Sequence, residues 1–158
     1  MLIGRHSLFC PQNKDKRVPQ LKELLDYKAD DFTQFVDRVE GYPGDLKPPG
    51  TFSEALKMHM KYEDVTVEEL ADRANLSTKT VGKMRNDDEY TPEIENVVAV
   101  CIGLHLMPAQ SYKLVELAGY KFKASKSHRL YCYLLDTAYM NTVDECNAFL
   151  SRAGVKAI

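Results

Sequence analysis

Three times in this chain a threonine precedes a glutamate by three residues at the head of an apolar helical pattern: Thr51-Phe52-Ser53-Glu54, Thr66-Val67-Glu68-Glu69 and Thr142-Val143-Asp144-Glu145. The pattern is a capping box, in which the hydroxyl and the carboxylate accept from backbone N–H groups that a helix start leaves unpaired. Ser77 is a further N-cap, and Thr91-Pro92 reads as an N-cap followed by proline at the first helical position. Pro108 opens another helix, which stops at Gly119. With helix starts at this density and no alternating strand pattern to compete, the predicted class is all-α.

Proline and glycine divide the chain into three parts. Residues 1–50 read as a helical N-terminal extension, with helices expected from Gln20 to Lys28 (Leu21, Leu24 and Leu25 on one face) and after Ala29 (Phe32, Phe35, Val36, Val39). The stretch from Gly41 to Gly50 holds three prolines and reads as a linker. Residues 51–122 read as five short helices, about 52–62, 67–74, 78–86, 93–103 and 109–118. Residues 123–158 read as a C-terminal helical hairpin, in which Leu130, Leu134 and Ala138 share one face and Val143, Cys146, Leu150 and Ala153 form a second stripe ended by Gly154. Such a hairpin cannot leave its stripe wet, so it either covers the five-helix unit or, with Tyr131, Tyr133 and Tyr139, meets another copy of the chain.

The most informative stretch runs from Val67 to Asn86. Two short helices crossing steeply need a small residue where they touch, and Ala71 supplies it. Their tight turn needs a residue that tolerates positive φ, and Asn75 is one of the few non-glycine types that do. Leu70, Ala74, Leu76, Val81 and Met84 provide apolar anchors. If Val81 and Met84 face inward, the 3.6-residue period turns Thr78, Lys79, Gly82, Lys83 and Asn86 outward, with Ser77 at the N-terminus. These types suit DNA: hydroxyls and lysines for phosphates or base edges, asparagine for adenine. Arg73 and Arg85 are peripheral phosphate contacts or plain surface charges. Gly82 weakens a helix interior by about 1 kcal/mol relative to alanine, so it marks either close approach to a groove floor or tight packing against another helix.

The stretch resembles the helix-turn-helix domain of the Xre, or lambda-repressor-like, transcriptional regulators. The resemblance covers Thr51 to about Phe122 and includes Thr91-Pro92, the following Ile94-x-x-Val97-Val98-x-Val100-Cys101 helix, Gly103-Leu104 and the closing Leu117-Ala118-Gly119-Tyr120. The turn position in that family more often holds glycine than asparagine. The resemblance implies a five-helix domain binding double-stranded DNA, with 77–86 as the recognition helix in the major groove, and a homodimer on palindromic half-sites.

Charge pulls the other way. The chain carries 21 basic and 23 acidic residues, for a net charge of −2, which is not the strongly basic signature of a nucleic-acid binder. Between Thr51 and Phe122 eight basic residues face twelve acidic ones, a balance of −4, and Asp87-Asp88-Glu89 directly follows the candidate recognition helix. Counterion release should therefore contribute modest affinity. The alternative reading is a protein-interaction module on a helix-turn-helix scaffold that no longer binds DNA. Catalysis is not expected: His6, His59, His105 and His128 form no metal pair, and no nucleophile elbow, Walker loop or dinucleotide fingerprint occurs. His59, between Met58 and Met60, is expected to be a surface or partly packed residue. Cys10, Cys101, Cys132 and Cys146 make no C-x-x-C pair and read as inert thiols of a reduced, cytoplasmic protein with no cofactor, small-molecule ligand or membrane segment.

Overall fold

A computed structural model describes residues 49–158; the helices expected between Gln20 and Glu40, and all of the linker but Pro49 and Gly50, lie outside the described residues. Among the described residues there are seven α-helices and no strand: α1 (Phe52–Glu63), α2 (Val67–Arg73), α3 (Thr78–Asn86), α4 (Ile94–Gly103), α5 (Pro108–Leu117), α6 (Lys126–Thr137) and α7 (Val143–Arg152). No helix among them is long and apolar enough to cross a membrane.

All three capping boxes form. The hydroxyls of Thr51, Thr66 and Thr142 accept from the N–H groups of Glu54, Glu69 and Glu145, each at 3.2 Å, and each glutamate accepts in return from the threonine N–H. Ser77 caps α3 and Ser125 caps α6 in the same sense. Pro108 occupies the first turn of α5, and Gly119 leaves that helix at φ 84°. The start of α4 differs from the sequence reading. Thr91-Pro92 is not its cap; Glu93 is the N-cap, without a side-chain bond, and the helix begins at Ile94. The Tyr120 hydroxyl donates to the Pro92 carbonyl at 2.9 Å, so the segment before α4 is pinned to the end of α5 rather than wound into the helix.

Helix α4 organises the rest. Eight of its ten residues are buried, leaving it apolar almost all round, and such a helix must be enclosed. Helices α2, α5, α6 and α7 enclose it, while α3 packs on α1 and α2. At Gly103 the approach is tight: a Cβ there would lie 3.3 Å from the Ala74 nitrogen and 3.4 Å from the Ala74 and Leu70 side chains. The hairpin stripe is consumed within the chain. Tyr131, Leu134 and Leu135 of α6 and Val143, Cys146 and Leu150 of α7 join the same core as α4, each large side chain contributing about 1.5–3 kcal/mol by leaving water. Cys101 and Cys146 are buried free thiols, pushed up to about 12 and about 11 chiefly by desolvation.

His59 is not a surface residue. It is 3% exposed, on the inward stripe of α1 with Ala55, Leu56 and Met60, and its Nδ1 has no hydrogen-bond partner. Burial lowers its pKa from 6.5 to about 4. A histidine lowered on folding takes up its proton more readily in the unfolded chain, so its neutral form supports the fold fully above pH 6.5 and progressively less as pH falls towards 4. The full shift corresponds to about 3 kcal/mol. The melting temperature should therefore drop between pH 6.5 and pH 4.5, and His59→Leu should flatten that decline; an equally steep decline in the variant would show that other groups cause it.

Candidate nucleic-acid interface

The link between α2 and α3 follows from backbone hydrogen bonding. Ala74 ends α2, Asn75 takes φ 53°, the Leu76 N–H returns to the Ala71 carbonyl at 2.9 Å and the Asn75 N–H to that of Asp72 at 3.3 Å. This pair of bonds is the Schellman arrangement, which satisfies the last carbonyls of a helix when the residue after the cap is left-handed. The next residue, Ser77, already caps α3: its Oγ accepts from the Thr80 N–H at 3.0 Å and lies 2.8 Å from the Thr80 hydroxyl. The turn is tied down from outside as well. Asn75 Nδ2 donates to Asp144 Oδ1 at 2.6 Å in the first turn of α7.

Helix α3 is two-sided. Leu70, Ala74, Val81 and Met84 have no exposure, Ala71 is buried, and Leu76 packs half-buried against the same core. On the opposite side Ser77, Thr78, Lys79, Lys83 and Asn86 are exposed, and Gly82 and Arg85 are half-buried. Two of these side chains have local partners: the Lys83 ammonium stands over the Tyr90 ring, 5.7 Å from its centre, and Arg85 Nη1 donates to Asn86 Oδ1 at 3.3 Å. Arg73, at the end of α2, is half-buried. The glycine question has a geometric answer. A Cβ on Gly82 would meet nothing within 4 Å, so no neighbouring helix packs there, and the close helix contact of this fold is at Gly103 instead.

The acidic run after α3 is also resolved residue by residue. Asp88 does not trail along the outer face of α3; its Oδ1 accepts from the Thr51 hydroxyl at 3.2 Å and from the Ser53 hydroxyl, at the start of α1. There the positive end of the helix dipole favours a carboxylate. The hydrogen bonds from Ser53 and then Thr51 hold the Asp88 carboxyl below its usual range. Asp87 folds back on its own loop, accepting from the Glu89 N–H at 3.1 Å. Asp87, Asp88 and Glu89 all remain exposed, with the Asp88 carboxylate directed to the start of α1. The Thr51–Ser53–Asp88 cluster and the Asn75–Asp144 bond carry no local signal, because their partners lie between 35 and 69 residues apart. Among the described residues no group of histidine, cysteine, aspartate and glutamate is arranged to hold a metal ion.

No family model matches the chain, and no curated protein or solved structure matches it.

The open surroundings of Gly82 make a direct measurement possible. Gly82→Ala should raise stability by about 1 kcal/mol, the helix-propensity difference with no clash to oppose it. A loss of stability in chemical denaturation would mean that the position is sterically constrained after all.

Proposed function

We propose that this protein is a cytoplasmic, sequence-specific DNA-binding transcriptional regulator, with α1–α5 as a lambda-repressor-like domain, α2–α3 as its helix-turn-helix and α3 as the recognition helix in the major groove. The observation that carries this reading is the outer face of α3, where Thr78, Lys79, Lys83 and Asn86 stand exposed around a glycine with open space above it. A glycine in the centre of an exposed, polar and cationic helix face lets a backbone approach base edges closely. The anchoring of Asp88 at α1 supports the same reading by keeping one carboxylate off the path of the phosphates. Ser77 then acts first as the cap that aims the helix, and Arg85 acts through its bond to Asn86. Affinity on one half-site is modest for a domain of this charge, so the working form is a homodimer whose second contact is effectively intramolecular.

The local excess of acidic residues favours one other reading, a protein-interaction module on the same scaffold. Selection of bound sequences from random duplex DNA separates the two. A consensus supports the regulator, and its absence at low salt supports the interaction module.

Two variants test the face itself. Lys79→Ala combined with Lys83→Ala should leave the fold intact, since both side chains are exposed. It should abolish or strongly weaken DNA binding and reduce the slope of affinity against salt by about two, one for each lost phosphate contact. Unchanged affinity and slope would remove this face from the interface. Asn86→Ala should relax preference at one base position by about 1–3 kcal/mol; a uniform loss across all sequences would instead assign it to backbone positioning.

A further inference from the structure

With the inner faces of α6 and α7 buried on α4, what the hairpin presents outward becomes the informative surface. Tyr133 and Phe149 are 52% and 38% exposed, and their rings stack across the two helices with centres 5.6 Å apart and planes 27° from parallel. Beside them a cleft runs between the helices, lined by Thr137, Ala138 and Glu145 among others. The helices run antiparallel: Lys126 at the start of α6 donates to the Ala153 carbonyl just past the end of α7. Four exposed charges flank the aromatic stack at helical spacing. Arg129, four residues before Tyr133, and Arg152, three after Phe149, lie at one end; Asp136, three after Tyr133, and Glu145, four before Phe149, lie at the other.

We propose that this outer face is the surface on which a second copy of the chain docks. An interface with two-fold symmetry must be complementary to itself. Rotating this face by half a turn about an axis through the Tyr133–Phe149 stack lays the arginine end of one copy over the carboxylate end of the other, twice. The aromatic centre then meets its own image, an apolar core with a charged rim. The face is small. A helix of twelve residues is about 18 Å long, and two helices side by side span about 20 Å, which gives on the order of 400 Å² per partner against the about 800 Å² of a standard stable complex. The dimer is therefore of the weak, reversible class. It extends the proposed regulator by naming where two copies meet, and its test contains no DNA, so its failure and that of the DNA reading are separable.

Sedimentation of the full chain at roughly 50 µM should show a reversible monomer–dimer equilibrium, as mass action requires of a weak pair. Tyr133→Ser with Phe149→Ser should weaken association at least tenfold without loss of helicity. A charge-exchange experiment gives the sharper reading. Arg129→Glu with Arg152→Glu leaves both ends acidic, and Asp136→Lys with Glu145→Gln leaves both ends basic while keeping an oxygen to cap α7. Each double variant alone should be monomeric, and an equimolar mixture should dimerise again. A wild-type chain that stays monomeric at this concentration overturns the proposal. Wild-type dimers that all three variants preserve overturn it in favour of another surface, and so does a mixture that fails to reassociate.

Discussion

The enclosure of α4 is the constraint on which the other elements depend. Its core residues include Ile94, Val97, Val98, Val100 and Ile102, β-branched types with poor intrinsic helix propensity. Its helical form is therefore imposed by packing rather than by local preference. Once it is a helix with no polar side, it needs neighbours on every flank. Helices α2 and α5 supply part of the cover and the hairpin supplies the remainder. The C-terminal helices thus belong to the core and are not an appendage, which also explains why only their outer face is left to meet anything else.

The candidate interface is the outer side of a helix whose inner side joins that core. Helix α3 packs chiefly on α1 and α2, and its orientation is set at two points. At its start, Asn75 in the left-handed region and Ser77 as cap leave no slack between α2 and α3. At its end, Asp88 locks the following loop onto the first turn of α1. Both fixtures are polar, and the second includes the buried Ser53 hydroxyl. Their effect is on direction, holding the cationic side of α3 outward and moving one acid off it.

Much of this was legible in the residues before any coordinates. The threonine–glutamate pairs located three helix starts because a capping box is a contact within four residues, and Pro108 and Gly119 framed α5 for equally local reasons. The sidedness of α3 was legible too, since Val81 and Met84 fix the inward direction of a nine-residue helix. What was not legible depends on distant partners. Thr91-Pro92 has the chemistry of a helix start, but Tyr120, 28 residues on, holds the Pro92 carbonyl elsewhere. His59 follows the inward period of α1, yet its residue type argued for a surface or partly packed position rather than the full burial observed. Gly82 allowed two explanations until its surroundings were visible, and Asp88 looked like an obstacle until its hydroxyl partners were found. The proposed DNA reading itself rests on side-chain types at exposed positions, which a sequence displays without showing what they touch.

The make-up of α4 has a consequence outside the native state. From Val97 to Ile102 the chain reads Val-Val-Ala-Val-Cys-Ile, six uncharged residues without proline or glycine and dominated by strand-forming types. Exposed, such a segment is a template for intermolecular strand pairing. During synthesis it leaves the ribosome before α6 and α7, the helices that complete its cover, so for that interval it relies on its flanks for protection. Glu93 and Glu95 stand immediately upstream as charged gatekeepers. In the finished fold Lys156 pairs with both, at 3.4 and 3.6 Å. The two carboxylates beside the aggregation-prone stretch thus end in an ion pair with the chain that follows the last covering helix.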